Sequence, residues 1–191
     1  MARFGGQLVY NPFMEYFQIL DENGNRIGKE KLRSEVHRDG DWHEAVDIWV
    51  RNKEGKILLQ KRALEKESYP GLFEVSCSGH LSGDEDSRTA AVRELEEELG
   101  VKVDPQELKY LFKVKEKHVT NNGTFLNNEI KDVYLLEGDF SLEDFVLQKE
   151  ELESVKFVRV DELAELLAAD LTAFVPHEVL YRKSLEYFLE N

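Results

Sequence analysis

The chain has 191 residues, 41% of them hydrophobic, which is enough for one domain with a proper core. Its 25 basic and 39 acidic residues leave a formal net charge of −14, which argues against a nucleic-acid backbone or an anionic membrane as partner. A single cysteine, Cys77, excludes an internal disulfide and fits a reducing cytosol. The start, MARFGGQLVYNPF, carries no signal-peptide pattern and no apolar run approaches a membrane span, so a cytoplasmic protein is expected.

Residues 1–191 are expected to form a single domain, since no repeat or low-complexity tract interrupts them; residues 1–43 form an N-terminal extension with a β-hairpin. In that hairpin the apolar run Tyr16 to Leu20 meets the turn Asp21-Glu22-Asn23-Gly24 and returns through Arg26-Ile27-Gly28. Ala45 to Val50 and Ile57 to Gln60 read as two strands around Asn52-Lys53-Glu54-Gly55. After the turn Pro70-Gly71, Leu72 to Ser76 is extended. Ser87 is placed to cap a helix from about Arg88 to Leu99, with Val92, Leu95 and Leu99 inward and Gly100 as the stop. Leu108 to Val119 and Ile130 to Leu136 read as strands around Asn121-Asn122-Gly123, and Lys156 to Val160 as a short one. Asp161 to Ala169 and His177 to Leu189 have helical spacing. Strands and helices interleave irregularly, which suggests an α/β fold: a mixed sheet with helices on both sides. The N-terminal segment and the apolar C-terminal helix could supply a homodimer surface.

Residues 79–101 read GHLSGDEDSRTAAVRELEEELGV. On a helix, Glu94, Glu97 and Glu98 share one face, related by i, i+3 and i+4. Oxygen ligands clustered in this way suit Mg²⁺, which takes a few carboxylates and keeps waters and substrate phosphates in its shell. A Glu-rich helix is ordinarily a solvated acidic face, but here every defined position of G-x5-E-x7-R-E-U-x-E-E-x-G-U, with U aliphatic, is present. The chain therefore resembles a Nudix hydrolase. The resemblance implies the Nudix α/β/α sandwich with its box as a loop-helix-loop, and hydrolysis of a small-molecule diphosphate. It also implies Mg²⁺, with Mn²⁺ as a substitute, held by Glu94, Glu97, Glu98 and the Gly79 carbonyl. Arg93 would orient these carboxylates with Glu85 as its partner, and Glu94 or Glu129 would be the general base.

The flanks are similar to the isopentenyl-diphosphate isomerase branch of the superfamily. The matching residues are Val36-His37, Trp42-His43, Leu58 to Arg62, Lys66, Tyr69-Pro70-Gly71 and Ser78-Gly79-His80. That likeness implies Arg62 and Lys66 as diphosphate-gripping residues and Asn128-Glu129 as the segment with the catalytic Glu. It implies His37, His43 and His80 as a second metal site, for which Zn²⁺ or Mn²⁺ would suit. Three departures point away from isomerisation. Ser78 stands where the isomerases carry a catalytic Cys, Asn127 stands where they carry a metal-binding Glu, and Glu94 and Glu97 are intact. Cys77, one residue away, would face the opposite side of an extended segment. Trp42, Trp49, Tyr69 and Phe73 could wall a base or an isoprenoid chain, although core packing is the commoner fate of such rings. The expectation is a hydrolase on an isomerase-like frame; the alternatives are the isomerase itself and a non-catalytic nucleotide-binding protein.

Overall fold

The computed structural model describes residues 15–191 with their side chains and residues 2–4 and 7–9 as backbone. In chain order the strands are β1 (Ala2–Phe4), β2 (Gln7–Val9), β3 (Tyr16–Leu20), β4 (Arg26–Leu32), β5 (Trp42–Asn52), β6 (Ile57–Arg62), β7 (Phe73–Glu74), β8 (Cys77–His80), β9 (Leu108–Thr120), β10 (Phe125–Gly138) and β11 (Leu152–Val158). The helices are α1 (Arg33–Asp39), α2 (Ser87–Leu99), α3 (Val160–Ala169) and α4 (Glu178–Glu190). Among the described residues β1 and β2 pair only with each other. The N-terminal segment expected at a dimer surface lies largely outside the described side chains.

β5 organises the molecule. It runs parallel to β10 from Trp42 opposite Asn128 to Asn52 opposite Gly138, and β9 pairs antiparallel beyond β10. On its other edge β5 receives β3 at Trp42, β8 along Ala45 to Ile48, and β6 at Arg51. β11 and β7 pair with β6. Alternation then sorts side chains by face. Val46, Ile48, Val50, Leu58, Tyr134 and Leu136 pack with Leu95 and Leu99 of α2. Trp49, Ile57, Leu59, Val133 and Leu135 pack with Leu163 of α3 and with Leu180 and Phe188 of α4. The result is the expected mixed sheet between two helical layers.

Several details differ from the sequence reading. Asp86, rather than Ser87, caps α2: its side chain accepts from the Thr89 N–H at 2.8 Å, while the Ser87 hydroxyl pairs with the Tyr134 hydroxyl. Gly100 does end the helix, at φ 71°. α1 and β8 were not foreseen. α1 is seven residues long with one apolar side chain, Val36, and β8 reads Cys-Ser-Gly-His without a β-branched or aromatic residue. At the free edge, β9 presents exposed Lys109, Lys113, Lys115 and Lys117, a charge row that discourages edge-to-edge pairing. Among the described residues no helix is long and apolar enough to cross a membrane.

Candidate active site

β8 lies against β5 with Gly79 opposite Val46 and His80 opposite Ala45, which sets its backbone over the middle of α2. The contact there is close. A Cβ at Gly79 would stand 2.0 Å from Cδ of Glu94, so only glycine admits the carboxylate against the strand. Glu97 is 38% exposed and Glu94 13%, while Glu98 is buried. Arg93 gathers the site: its guanidinium donates to Glu94 at 2.7 Å, Glu97 at 3.0 Å, Glu85 at 2.8 Å and the His80 carbonyl at 2.7 Å. The Ser78 N–H reaches Glu98 at 3.4 Å. Burial raises the pKa of Glu94, against the pull of Arg93. Burial and then the charge of Glu94 raise that of Glu98. Two carboxylates held so unfavourably for their charge form the donor set that a hard divalent cation relieves.

On the other face of the sheet the same end of β5 and β10 holds a buried ionic group. Lys131 is 2% exposed, with Nζ 3.2 Å from Asp47, 3.3 Å from Glu129 and 3.2 Å from Nε2 of His177. Glu129 also meets His80 at 3.0 Å and His43 at 3.8 Å. Burial works against its charge, but Lys131 and His80 outweigh burial and hold its carboxyl well below the ordinary range. His177 lies between Glu116 at 2.6 Å and Glu74 at 3.2 Å. The rings of His37, His43 and His80 cluster, with centroids 5.0 to 5.8 Å apart, and Phe17 of β3 stacks on both His43 and His80. Burial pushes His37 down to about 2, His80 to about 4 and His43 below its ordinary value, which disfavours the charged form of all three imidazoles. Both ring nitrogens of His37 and Nε2 of His43 are buried without a hydrogen-bond partner. A cavity of about 110 Å³ joins the two groups, touching Gly79, Glu94, Glu97 and Glu98 on one side and Glu129, Lys131 and His177 on the other.

Comparison with known proteins decides the family. A model described as the NUDIX domain matches residues 41–178. The chain belongs to the Nudix family. It is 43% identical over 168 residues to Nudix hydrolase 3 of Arabidopsis thaliana, covering 86% of this chain and 22% of that protein; it thus spans about a fifth of the relative's length. It is 33% identical over 170 residues to an isopentenyl-diphosphate Delta-isomerase of a Jannaschia species, covering 88% of this chain and 93% of the isomerase. Among solved structures, DR0079 from Deinococcus radiodurans superposes with a TM-score of 0.63 at 21% identity, covering 82% of this chain and 91% of that one.

Within this Nudix frame the expected residues fall unevenly. Gly79, Arg93, Glu94, Glu97, Glu98 and Glu85 converge on one spot. Arg62 and Lys66 line the cavity, but each is engaged by protein: Arg62 with Glu74 at 2.7 Å and the Ser68 carbonyl, Lys66 with Glu151. Cys77 is sealed in the core. Ser78, on the opposite side of β8, donates its hydroxyl proton to Asp47 at 2.7 Å. The four-ring wall does not form. Trp49 is in the core and donates to Ser184, Trp42 lies under Lys115 and Lys117, and Phe73 packs on Phe174. Only Tyr69 of the four lines the cavity. Sequence reasoning missed Asp47, Glu74, Lys131 and His177, and Arg33, which also lines the cavity. The available signal was a charge inside an apolar strand, as in Ala-Val-Asp47-Ile-Trp and Glu-Ile-Lys131-Asp-Val.

Proposed function

We propose that this Nudix protein is a divalent-metal-dependent hydrolase that cleaves the phosphoanhydride of a nucleoside diphosphate derivative or a similar organic diphosphate. The observation that carries the reading is the Glu94 carboxylate seated against Gly79 beside the buried Glu98, both with pKa values raised by burial. Mg²⁺ or Mn²⁺ held by Glu94, Glu97, Glu98 and the Gly79 carbonyl would, when bound, neutralise phosphoryl charge and acidify a water. The chain's own work is positioning. Arg93 fixes Glu94 and Glu97 from one side, and β8 meets Glu94 at Gly79 and Glu98 through the Ser78 N–H. Water adds to phosphorus, the bridging P–O bond breaks towards the departing phosphate, and a carboxylate takes the water's proton. The two expected bases are Glu94 and Glu129, and Glu129 is engaged by Lys131 at 3.3 Å and His80 at 3.0 Å. The neutral imidazoles of His37, His43 and His80, next to Glu129, support a second divalent ion of the Zn²⁺ or Mn²⁺ type.

An isomerase would need a side chain at position 78 able to protonate carbon, and a serine hydroxyl committed to Asp47 is a poor substitute for a thiol. The test is a Mg²⁺-supplemented panel of nucleoside diphosphates, sugar nucleotides, dinucleotides and prenyl diphosphates, with products resolved by mass. Hydrolysis of one class is expected, with Glu97→Gln lowering kcat by at least a hundredfold while the fold is kept. Unchanged turnover in that variant would reject the metal site. Conversion of isopentenyl to dimethylallyl diphosphate, followed by NMR, would favour the isomerase, and tight nucleotide binding without turnover a non-catalytic role.

A further inference from the structure

Most residues lining the cavity are polar or charged, and that makes the few apolar side chains informative. Tyr69, Phe125 and Val175 are the ones among the described lining residues. Phe125 is 5% exposed and stacked on His37 at 4.2 Å, and Val175 is 2% exposed. Tyr69 is only partly buried, so it offers the accessible carbon face. Its backbone is unusual as well. Tyr69 adopts φ 52°, a left-handed conformation that bulky residues seldom take and that tends to persist where surrounding structure enforces it for function.

The enforcement is visible. Arg62 donates from Nε and Nη2 to the carbonyl of Ser68, immediately before Tyr69, at 3.2 and 3.1 Å. The Gly71 N–H returns to the Arg62 carbonyl at 3.2 Å. Asn121 of the turn between β9 and β10 holds the Glu67 carbonyl at 3.1 Å. The loop is thus tied at both ends of the ring's position, and the ring meets His118 edge-on at 6.4 Å. The ties to Ser68, Arg62 and Glu67 all end on backbone carbonyls, so they shape the loop.

We propose that Tyr69 is the specificity-determining residue of the site: its ring packs against the carbon skeleton carried by the diphosphate, and Arg62 is the positioning residue that holds the ring in place. The inference rests on the cavity being the diphosphate site. The shared ligand chemistry is a carbon skeleton with a hydrophobic or aromatic face attached to a diphosphate, which a nucleoside or a prenyl chain can supply, and the test separates the two.

Binding is measured by calorimetry in Ca²⁺, chosen to slow hydrolysis, with α,β-methylene-ADP, dimethylallyl diphosphate and methylenediphosphonate. Tyr69→Asn removes the ring while keeping a residue that tolerates the left-handed backbone; Tyr69→Phe keeps the ring. In the native protein at least one organic ligand should bind about tenfold or more tightly than methylenediphosphonate, in the range of a stacking or apolar contact. Tyr69→Asn should erase most of that advantage, leave methylenediphosphonate within about twofold, and be rescued by Tyr69→Phe. The organic ligand that loses affinity names the source. Equal weakening of all three ligands, no change in any, or no native preference for an organic ligand overturns the proposal. Tyr69-dependent binding without turnover of any panel member in Mg²⁺ would instead sink the hydrolase reading and leave this one standing.

Discussion

The Glu94 side chain fills the volume that any Cβ at position 79 would need. The carboxylate lies where a Cβ would be, 2.0 Å from the heavy atom it would meet, and Arg93 closes the far side. A methyl group at 79 must therefore swing Glu94 away from Glu98 or lift β8 from α2. Displacement of a reacting group by about 1 Å can cost on the order of a hundredfold in rate. Gly79→Ala should accordingly lower kcat/KM by at least that factor, with a far-UV spectrum and oligomeric state like the native protein's. A Gly79→Ala enzyme with native kcat/KM would show that Glu94 is not held against β8. Arg62 teaches a different lesson. Its position suggested a phosphate grip, yet its donors are spent on Glu74 and Ser68, so its influence on a ligand passes through the loop it ties down.

α2 delivers its three carboxylates from the half of the helix remote from its cap, and this separates stability from binding. The Asp86 cap satisfies one free backbone donor at the N-terminal end, and removing such a cap typically costs about 1 kcal/mol. Asp86→Ala should lower the urea midpoint by the corresponding amount and leave Mg²⁺ affinity within about twofold; a large loss of affinity would mean that the cap also sets the carboxylates. The same helix explains what could be read in advance. Its period, its glutamate face and its glycine stop are local, so α2 and the cluster were legible from spacing alone. β8 was not, because Cys-Ser-Gly-His becomes a strand only by pairing with β5. Nor was the contact of Asp47 with Lys131, which depends on the parallel register of β5 and β10. Helix-local chemistry was legible from spacing; of the chemistry assembled across strands, His37, His43, His80 and Glu129 were reached only through the family resemblance. The four aromatic residues were sorted by tertiary packing in the same way, three to other surroundings and Tyr69 to the cavity.

Beneath the net charge of −14 the interior holds paired acids and bases. Burial and Lys131 disfavour a proton on His177, but Glu116 and Glu74 outweigh them and push its pKa up to about 9. The unfolded chain releases that proton near 6.5. Between these values the folded state holds the extra proton, so this group's stabilisation is complete below 6.5 and is lost as pH rises through 9. The shift corresponds to up to about 3 kcal/mol. His177→Gln should flatten the decline of unfolding free energy across that window relative to the native protein, measured by urea denaturation at a series of pH values. Parallel curves for the two proteins would mean that the imidazole is not protonated in the fold.

Cys77 has a practical corollary for the whole assembly. It is the chain's one thiol, it has no solvent exposure, and burial pushes its pKa well up, so an alkylating reagent can reach it only when β8 separates from its neighbours. That strand also carries Gly79 and His80. The rate at which iodoacetamide consumes the native protein therefore clocks how often the business end of the molecule breathes open, with no engineered label, and any compound that clamps β8 to α2 must slow the clock.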